Sequence, residues 1–353
     1  MNVVVVGLGN VGIPAAAALA RAGSKVVGID IDPRKVKAIN EGVNPLITRE
    51  QALDELVARV VAEGRLRAML SFEEIGQADA VLICVDTPVD PTSKEPDDTA
   101  LRSALHSTAT HMKPGVLVSV ESTLAPGSMV DVVTPVLEEG SGLKAGVDFH
   151  LVHCPERVTA GKLLKHLSTM PRVLGAEDDP SAERAEALYG PICPELHRAR
   201  WIDAELSKTV ENAYRDVQLA FANEVGLLCE ASGGNAFRVQ ALVNTAPDRE
   251  MLLPGPGVGG HCLAKDPWLL TSAGRHLAVL IPTAREVNEG MTSHVMSLIR
   301  QGLTAVGKEM EGAQVLLLGG AYRENVNETN HSPALKLYAA LAEGGSAGRL
   351  HDP

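Results

Sequence analysis

Asn2-Val-Val-Val-Val6 runs into Gly7-Leu-Gly9-Asn10-Val11-Gly12, then into an alanine-rich stretch ending near Ala22, then into Lys25-Val-Val-Gly-Ile29-Asp30. Four consecutive valines show no polar alternation, which is the pattern of a parallel strand buried on both faces. The alanine-rich stretch reads as a helix and Lys25–Ile29 as a second strand. A lone GxGxxG says little. Here it lies between a strand and a helix, and an acid follows eighteen residues after Gly12. That context is the dinucleotide-binding βαβ unit. Gly7, Gly9 and Gly12 let backbone approach a pyrophosphate and set it on a helix N-terminus. Asp30 is placed to take the adenosine ribose hydroxyls and to repel a 2′-phosphate, so the expected cofactor is NAD rather than NADP.

Further βα units follow. Ala80–Val85 reads as a strand ending in Asp86-Thr87-Pro88, residues 99–112 as a helix, and Val116–Val120 as a strand ending in Glu121-Ser122-Thr123. Ligands of a doubly wound sheet bind at the carboxyl ends of its strands. Thr87 and Thr123 are therefore candidate contacts, or equally hydroxyls that cap helices. Phe149–His153 is another strand, followed by Cys154-Pro-Glu156-Arg157-Val158. A carboxylate and a guanidinium at a strand end suit proton transfer and anion binding, or form a surface ion pair. From Asp203 to about Ser232 the apolar spacing is helical, about 45 Å at 1.5 Å per residue. Lys208, Asn212 and Arg215 share one stripe of it, fit for an oxyanion or sugar ligand or for solvent.

The second decisive stretch is Pro254-Gly-Pro-Gly-Val-Gly259-Gly-His-Cys262-Leu-Ala-Lys-Asp266-Pro-Trp268. Glycines allow close approach of backbone to a ligand, and the cysteine ends the loop. If Cys262 opens a helical turn, Asp266 lies on the same face, and a helix N-terminus favours a thiolate. The pattern points to covalent catalysis, with Cys262 as nucleophile and Asp266 close enough to handle protons or water. The alternative is a turn that buries an inert thiol. Residues 283–303 read as another helix, and Val315–Leu318 opens a third α/β unit containing Gly319-Gly-Ala-Tyr-Arg323.

The chain of 353 residues exceeds one typical domain. Aromatic residues make up only 3%, so the core must be built from Ala, Val, Leu and Ile. A net charge of −12 argues against nucleic acid and anionic membranes as partners. Five scattered cysteines suggest reduced thiols and a cytoplasmic protein. No metal-ligand spacing, signal peptide or membrane-length apolar run is present.

With these residues in hand, the chain resembles the nucleotide-sugar 6-dehydrogenases of the UDP-glucose/GDP-mannose dehydrogenase superfamily. The carrying motifs are Cys-Pro-Glu-Arg-Val (154–158), Thr-Val-Glu-Asn-Ala-Tyr-Arg-Asp-Val (209–217), Ala-Phe-Ala-Asn-Glu (220–224), the loop 254–262, and Thr-Ala-Arg-Glu-Val-Asn (283–288). Among its members they are most similar to the UDP-N-acetyl-D-mannosamine dehydrogenases. The resemblance implies a Rossmann-like NAD-binding domain (1–200), a central helical domain for dimerisation and catalysis (201–308) and a partial C-terminal UDP-binding α/β domain (309–353). It implies a four-electron oxidation of a UDP-sugar 6-hydroxyl with two NAD, in a homodimer joined by the central helix. UDP-glucose, UDP-GlcNAc and UDP-GalNAc stay open as substrates. So does a weakly active NAD-binding paralogue.

Carried over residue by residue, Cys262 is the nucleophile, Lys208 the oxyanion stabiliser and Glu156 the general base. Asp266 and Thr123 organise water, and Asn212 orients substrate. Gly7, Gly9, Asn10, Val11, Gly12, Asp30, Lys35, Thr87 and Thr123 match cofactor contacts. Arg157, Val158, Lys208, Asn212, Arg215, Arg249, Gly259 and Arg323 match substrate contacts. Two departures stand out. The family's His-Pro-Arg is here Ala246-Pro247-Asp248, with Arg249 one place late. Its Asp-Thr-Arg-Glu-Ser-Pro is here Glu328-Thr-Asn330-His-Ser-Pro, without the arginine.

Overall fold

The valines of β1 (Asn2–Val6) divide between the two faces of a sheet. Val3 and Val5 belong to one apolar cluster and Val4 and Val6 to the other. A strand covered on both sides has no polar face to display, which is why its sequence does not alternate. In the computed structural model, which describes residues 1–47, 50–159, 161–324 and 326–352, the chain forms two compact units, the first Met1–Thr209 and the second beginning at Val210. Every candidate site residue lies in these ranges; Pro353, the expected end of the third domain, lies outside them.

The first unit is an α/β fold on an eight-stranded sheet. After β1 come β2 (Lys25–Ile29), β3 (Leu66–Met69), β4 (Ala80–Ile83), β5 (Leu117–Val120), β6 (His150–His153), β7 (Arg172–Ala176) and β8 (Leu196–Ala199). The spatial order is β3-β2-β1-β4-β5-β6-β7-β8, with every pairing parallel except β6–β7. The first six strands thus have the doubly wound dinucleotide-binding order, with the topological switch between β1 and β4. The helix Gly12–Arg21 buries Ala15 through Ala20 completely or nearly so. Methyl side chains let it sit close over the sheet, and this is how a chain with few aromatic residues fills its core.

The second unit contains most of the long helix Trp201–Ser232, the helices Ala236–Val243, Asp266–Ser272, Leu280–Ala305 and Pro333–Glu343, and a parallel pair, β9 (Gln314–Leu318) and β10 (Ala347–His351). The helices expected at 203–232 and 283–303 are present with slightly wider bounds. Strands β3, β7 and β8 have no counterpart in the sequence expectations. They are short and carry charged residues such as Arg67, Arg172 and Arg198, so their apolar signal is weak.

His153 closes β6 with no exposed surface, its Nδ1 2.9 Å from the Val120 carbonyl. Burial pushes its pKa down to about 4, against the Val120 bond and with help from the nearby Arg172 and Lys208 cations. Between pH 6.5 and about 4 the unfolded chain therefore binds a proton that the native imidazole refuses. Stability should fall by roughly 3 kcal/mol as pH drops through that window. Urea midpoints at pH 7 and 4.5 check this. His153→Gln should lose less stability than the parent chain on acidification, and equal losses would show that His153 contributes nothing.

Candidate active site

The glycine loop after β1 is shaped by three different needs. Gly7 has φ +95°, and a Cβ there would lie 2.5 Å from the Cys84 carbonyl oxygen. A Cβ on Gly12 would lie 1.9 Å from the Gly7 carbonyl oxygen. Gly9 differs, because a Cβ there would meet nothing within 4 Å. The protein's own packing does not require a glycine at 9, so the open space is available to a ligand. The following helix has no side-chain cap at Val11 and no acid in its first turn, and Asn10 is exposed beside it. Ile13 donates its amide to the Gly9 carbonyl and Pro14 has none, so the Gly12 amide is the one this first turn can offer an anion such as a pyrophosphate. At the end of β2, Asp30 Oδ2 accepts from the Leu8 amide at 2.8 Å and Oδ1 from the Asp32 amide at 2.9 Å. Lys35 Nζ is 3.2 Å from Asp30. These residues fit the adenosine half of a dinucleotide. Thr87 and Thr123 act together, the Thr87 hydroxyl donating to the Thr123 carbonyl at 2.6 Å and joining the loops after β4 and β5.

Beside these loops, Lys208 Nζ donates to Glu156 Oε1 at 2.9 Å, and both side chains are almost fully buried. The other Glu156 oxygen accepts from the Val158 amide, which turns the chain back on itself after β6. Burial pushes the Glu156 carboxyl up, but the Lys208 ammonium and the Val158 amide outweigh it and hold the group below its ordinary range. Glu156 is thus an anion at neutral pH. Arg157 is partly buried and donates to the Pro171 carbonyl at 3.2 Å.

Sequence reasoning missed the support beneath this pair. Arg172 Nη2 donates to Glu121 Oε2 and to the Cys154 carbonyl, each at 2.7 Å. The Tyr189 hydroxyl donates to the other Glu121 oxygen at 2.8 Å, and the guanidinium lies 4.5 Å from the Tyr189 ring centre. Glu205, on the long helix, accepts from the amides of Gly127 and Met129, each at 2.7 Å. Nothing local marks these partners, since they are 18 to 78 residues apart.

Within the second unit, Cys262 is partly exposed, whereas Cys84, Cys154, Cys193 and Cys229 are buried. Burial pushes the Cys154 thiol up to about 12 and Cys84 well above its usual value, so neither is a thiolate at neutral pH. The Cys262 carbonyl accepts from the Asp266 amide at 2.9 Å, so the two residues span one helical turn at the entry to Asp266–Ser272. Asp266 has no exposed surface. Its carboxylate accepts from Asn212 Nδ2 and, at 2.8 Å, from Lys265 Nζ. Lys265 is a second functional neighbour that the sequence reading passed over.

The glycines before Cys262 are packed against the third α/β segment. A Cβ on Gly259 would lie 2.5 Å from Tyr322 Cβ, and the Gly260 amide donates to the Asn330 carbonyl at 2.8 Å. Asn330, where the family carries arginine, turns its amide to Glu328 at 3.0 Å. Burial, with Glu328 second, pushes Tyr322 up to about 12. Of the expected substrate cations in this unit, Arg215 and Arg249 are exposed and Arg323 is partly buried. Arg249 donates only to the neighbouring Asp248 carbonyl, at 3.2 Å, among its described bonds.

Residues 1–193 match the profile of the UDP-glucose/GDP-mannose dehydrogenase family, NAD binding domain, and residues 202–290 match the central domain of the same family. The UDP-N-acetyl-D-mannosamine dehydrogenase of Pyrococcus horikoshii is 36% identical over 100% of this chain and 84% of its own length. The NDP-N-acetyl-D-galactosaminuronic acid dehydrogenase of Ralstonia nicotianae is 35% identical over 96% of this chain and 79% of its own. The solved UDP-D-ManNAc dehydrogenase structure from Pyrococcus horikoshii superposes with a TM-score of 0.95 at 35% identity, covering 100% of this chain and 84% of that one.

NAD should be preferred over NADP by at least ~10-fold in kcat/KM, which needs only about 1.4 kcal/mol of discrimination at Asp30. Asp30→Ala should narrow the gap, leaving Lys35 free to meet a 2′-phosphate. Equal kcat/KM for the two dinucleotides with the parent enzyme would remove Asp30 from the specificity.

Proposed function

The chain belongs to the UDP-glucose/GDP-mannose dehydrogenase family, and on that premise we propose that this NAD-dependent dehydrogenase oxidises the 6-hydroxyl of UDP-N-acetyl-D-mannosamine to the uronic acid. The observation that carries the mechanism is Cys262. It is the one cysteine of five that is not buried, and it stands one turn before a fully buried aspartate. Two NAD molecules bound in turn would each accept one hydride, one for each oxidation. The first oxidation turns the C6 alcohol into an aldehyde. The Cys262 thiolate then forms a bond to C6, and the carbonyl electron pair moves to oxygen as a thiohemiacetal anion. The Lys208 ammonium stabilises that anion. Loss of the second hydride leaves a thioester. Glu156 takes a proton from water, the water oxygen adds to C6, and the C6–S bond breaks to return the thiolate. Asp266, oriented by Asn212, and Thr123 order water and substrate.

In this reading residues 1–200 hold NAD, 201–308 supply the thiol and the dimer contact, and 309–353 form part of the UDP site. Arg157, Val158, Arg215, Arg249, Gly259 and Arg323 are its substrate contacts. A UDP-N-acetyl-D-galactosamine substrate is the second reading, supported by the nearly equal identity of the Ralstonia nicotianae relative. NADH production across a panel of UDP-sugars separates the two.

Cys262→Ser should abolish acid formation, because an ester would replace the more easily hydrolysed thioester. Intact-protein mass spectrometry should find a sugar adduct accumulating on the variant. The Ala variants of the other four cysteines should keep activity where they fold. Uronic acid made at the parental rate by Cys262→Ser would withdraw the thiol from the mechanism.

The proposal extends to assembly. Tyr214, Phe221 and Leu228 recur every seven residues on the long helix and are 64%, 59% and 59% exposed. Such a stripe fits a second copy of itself across a two-fold axis. Light scattering at micromolar concentration should give the mass of a dimer, and Phe221→Glu should shift it toward the monomer. A monomeric parent chain would overturn the proposal.

A further inference from the structure

Four residues of the family-like motifs take no part in the chemistry above. Asp216, Asn223, Arg285 and Asn288 are each 2% exposed or less. They come from two stretches of helix, and together they form one continuous chain of hydrogen bonds. Arg285 Nη1 donates to Asp216 Oδ1 at 2.7 Å. Asn288 Nδ2 donates to the same oxygen at 2.8 Å and to the Asp216 carbonyl at 3.0 Å. Asn223 Nδ2 donates to Asn288 Oδ1 at 2.8 Å, and Asn223 Oδ1 accepts from the Gly255 amide at 2.8 Å. At the other end, Arg285 Nη1 also reaches the Leu263 carbonyl at 3.3 Å.

The direction of this chain follows from charge. An ionised Asp216 can only accept, so Asn288 must present its amino group to it. The Asn288 oxygen then faces Asn223 and takes the Asn223 amino group. That leaves the Asn223 oxygen as the acceptor for Gly255 N–H. No amide can flip without placing two donors or two acceptors face to face in a site closed to water. The loop makes direct contact as well. Gly257 has φ +129°, and a Cβ there would lie 3.2 Å from the Asn288 carbonyl oxygen. Both ends of the loop, Gly255 before it and Leu263 directly after Cys262, are thus fastened to one buried carboxylate.

We propose that the Asp216–Arg285–Asn288–Asn223 chain is the device that holds Cys262 in register for attack, with Asn223 and Arg285 as positioning residues. This deepens the assignment of Cys262 as nucleophile and rests on it. A thiol displaced by about 1 Å can lose ~100-fold in rate, so a loop built from glycines needs an external anchor.

The test reads site-specific alkylation by iodoacetamide in the full chain without substrate, quantified by mass spectrometry for all five cysteines. Asn223→Ala cuts the tether at Gly255 without orphaning a charge. Arg285→Lys keeps the charge beside Asp216 and gives up the forked reach to Leu263. In both variants Cys262 should alkylate about fivefold faster or more, as local opening of one loop would produce. The four buried cysteines should keep their rates, and kcat for acid formation should fall ~10- to 100-fold with NAD affinity unchanged. Faster alkylation at all five positions would reduce the chain to a folding element. An unchanged Cys262 rate would overturn the proposal whatever happens to kcat. Because no substrate is present, the alkylation result stands apart from the Cys262→Ser assay, which tests the thiol chemistry itself.

Discussion

Arg172 carries a guanidinium into the interior of the first unit, and the working edge of the sheet is arranged around neutralising it. Its two short bonds go to Glu121, at the end of β5, and to the Cys154 carbonyl, at the end of β6. Thr123 lies two residues beyond the first partner, and Glu156 two residues beyond the second. A buried charge without its partner costs on the order of 3–5 kcal/mol. The strand ends are therefore held where the guanidinium needs them, and the loops they carry inherit that position. The Tyr189 ring and hydroxyl complete the enclosure.

The same logic recurs at other buried charges in each unit. Lys208 and Glu156 neutralise each other, Asp266 is met by Asn212 and Lys265, and Asp216 is met by Arg285 and Asn288. Each of these ionised groups thus has a partner of opposite charge or an amide donor.

Much of this was legible in the chain. The valine run, the spacing of Gly7, Gly9 and Gly12, and Asp30 after them specify a dinucleotide fold through short-range geometry alone. The glycine loop and Cys262 are equally local. What lay hidden depends on tertiary distance. Arg172, Glu205 and Asn223 look like ordinary surface residues until the fold removes them from water. β3 and β8 could not be read because strands at the edge of a sheet carry polar residues and lack the continuous apolar signal of β1, and β7, although interior, opens on Arg172. Lys265 was passed over because its neighbour Asp266 drew the reading to itself. Thr87 shows the limit from the other side: position alone left ligand contact and helix cap open, and its hydroxyl is spent on the Thr123 carbonyl.

The spatial order of the sheet also sets a schedule for synthesis. The ribosome delivers β1, β2 and β3 within the first 69 residues, and these three pair on one side of β1. The other edge of β1 waits for β4 at Ala80–Ile83, β4 waits for β5, and β5 waits for β6, each new strand docking at the growing margin. During the first interval four consecutive valines present an open strand edge to the cell, the kind of surface that other chains add to. The interval is short, since Met69 and Ala80 are only eleven positions apart, and a helical turn at Glu73–Gln77 fills half of it. A pause in translation between these positions would lengthen the exposure of that edge in the nascent chain.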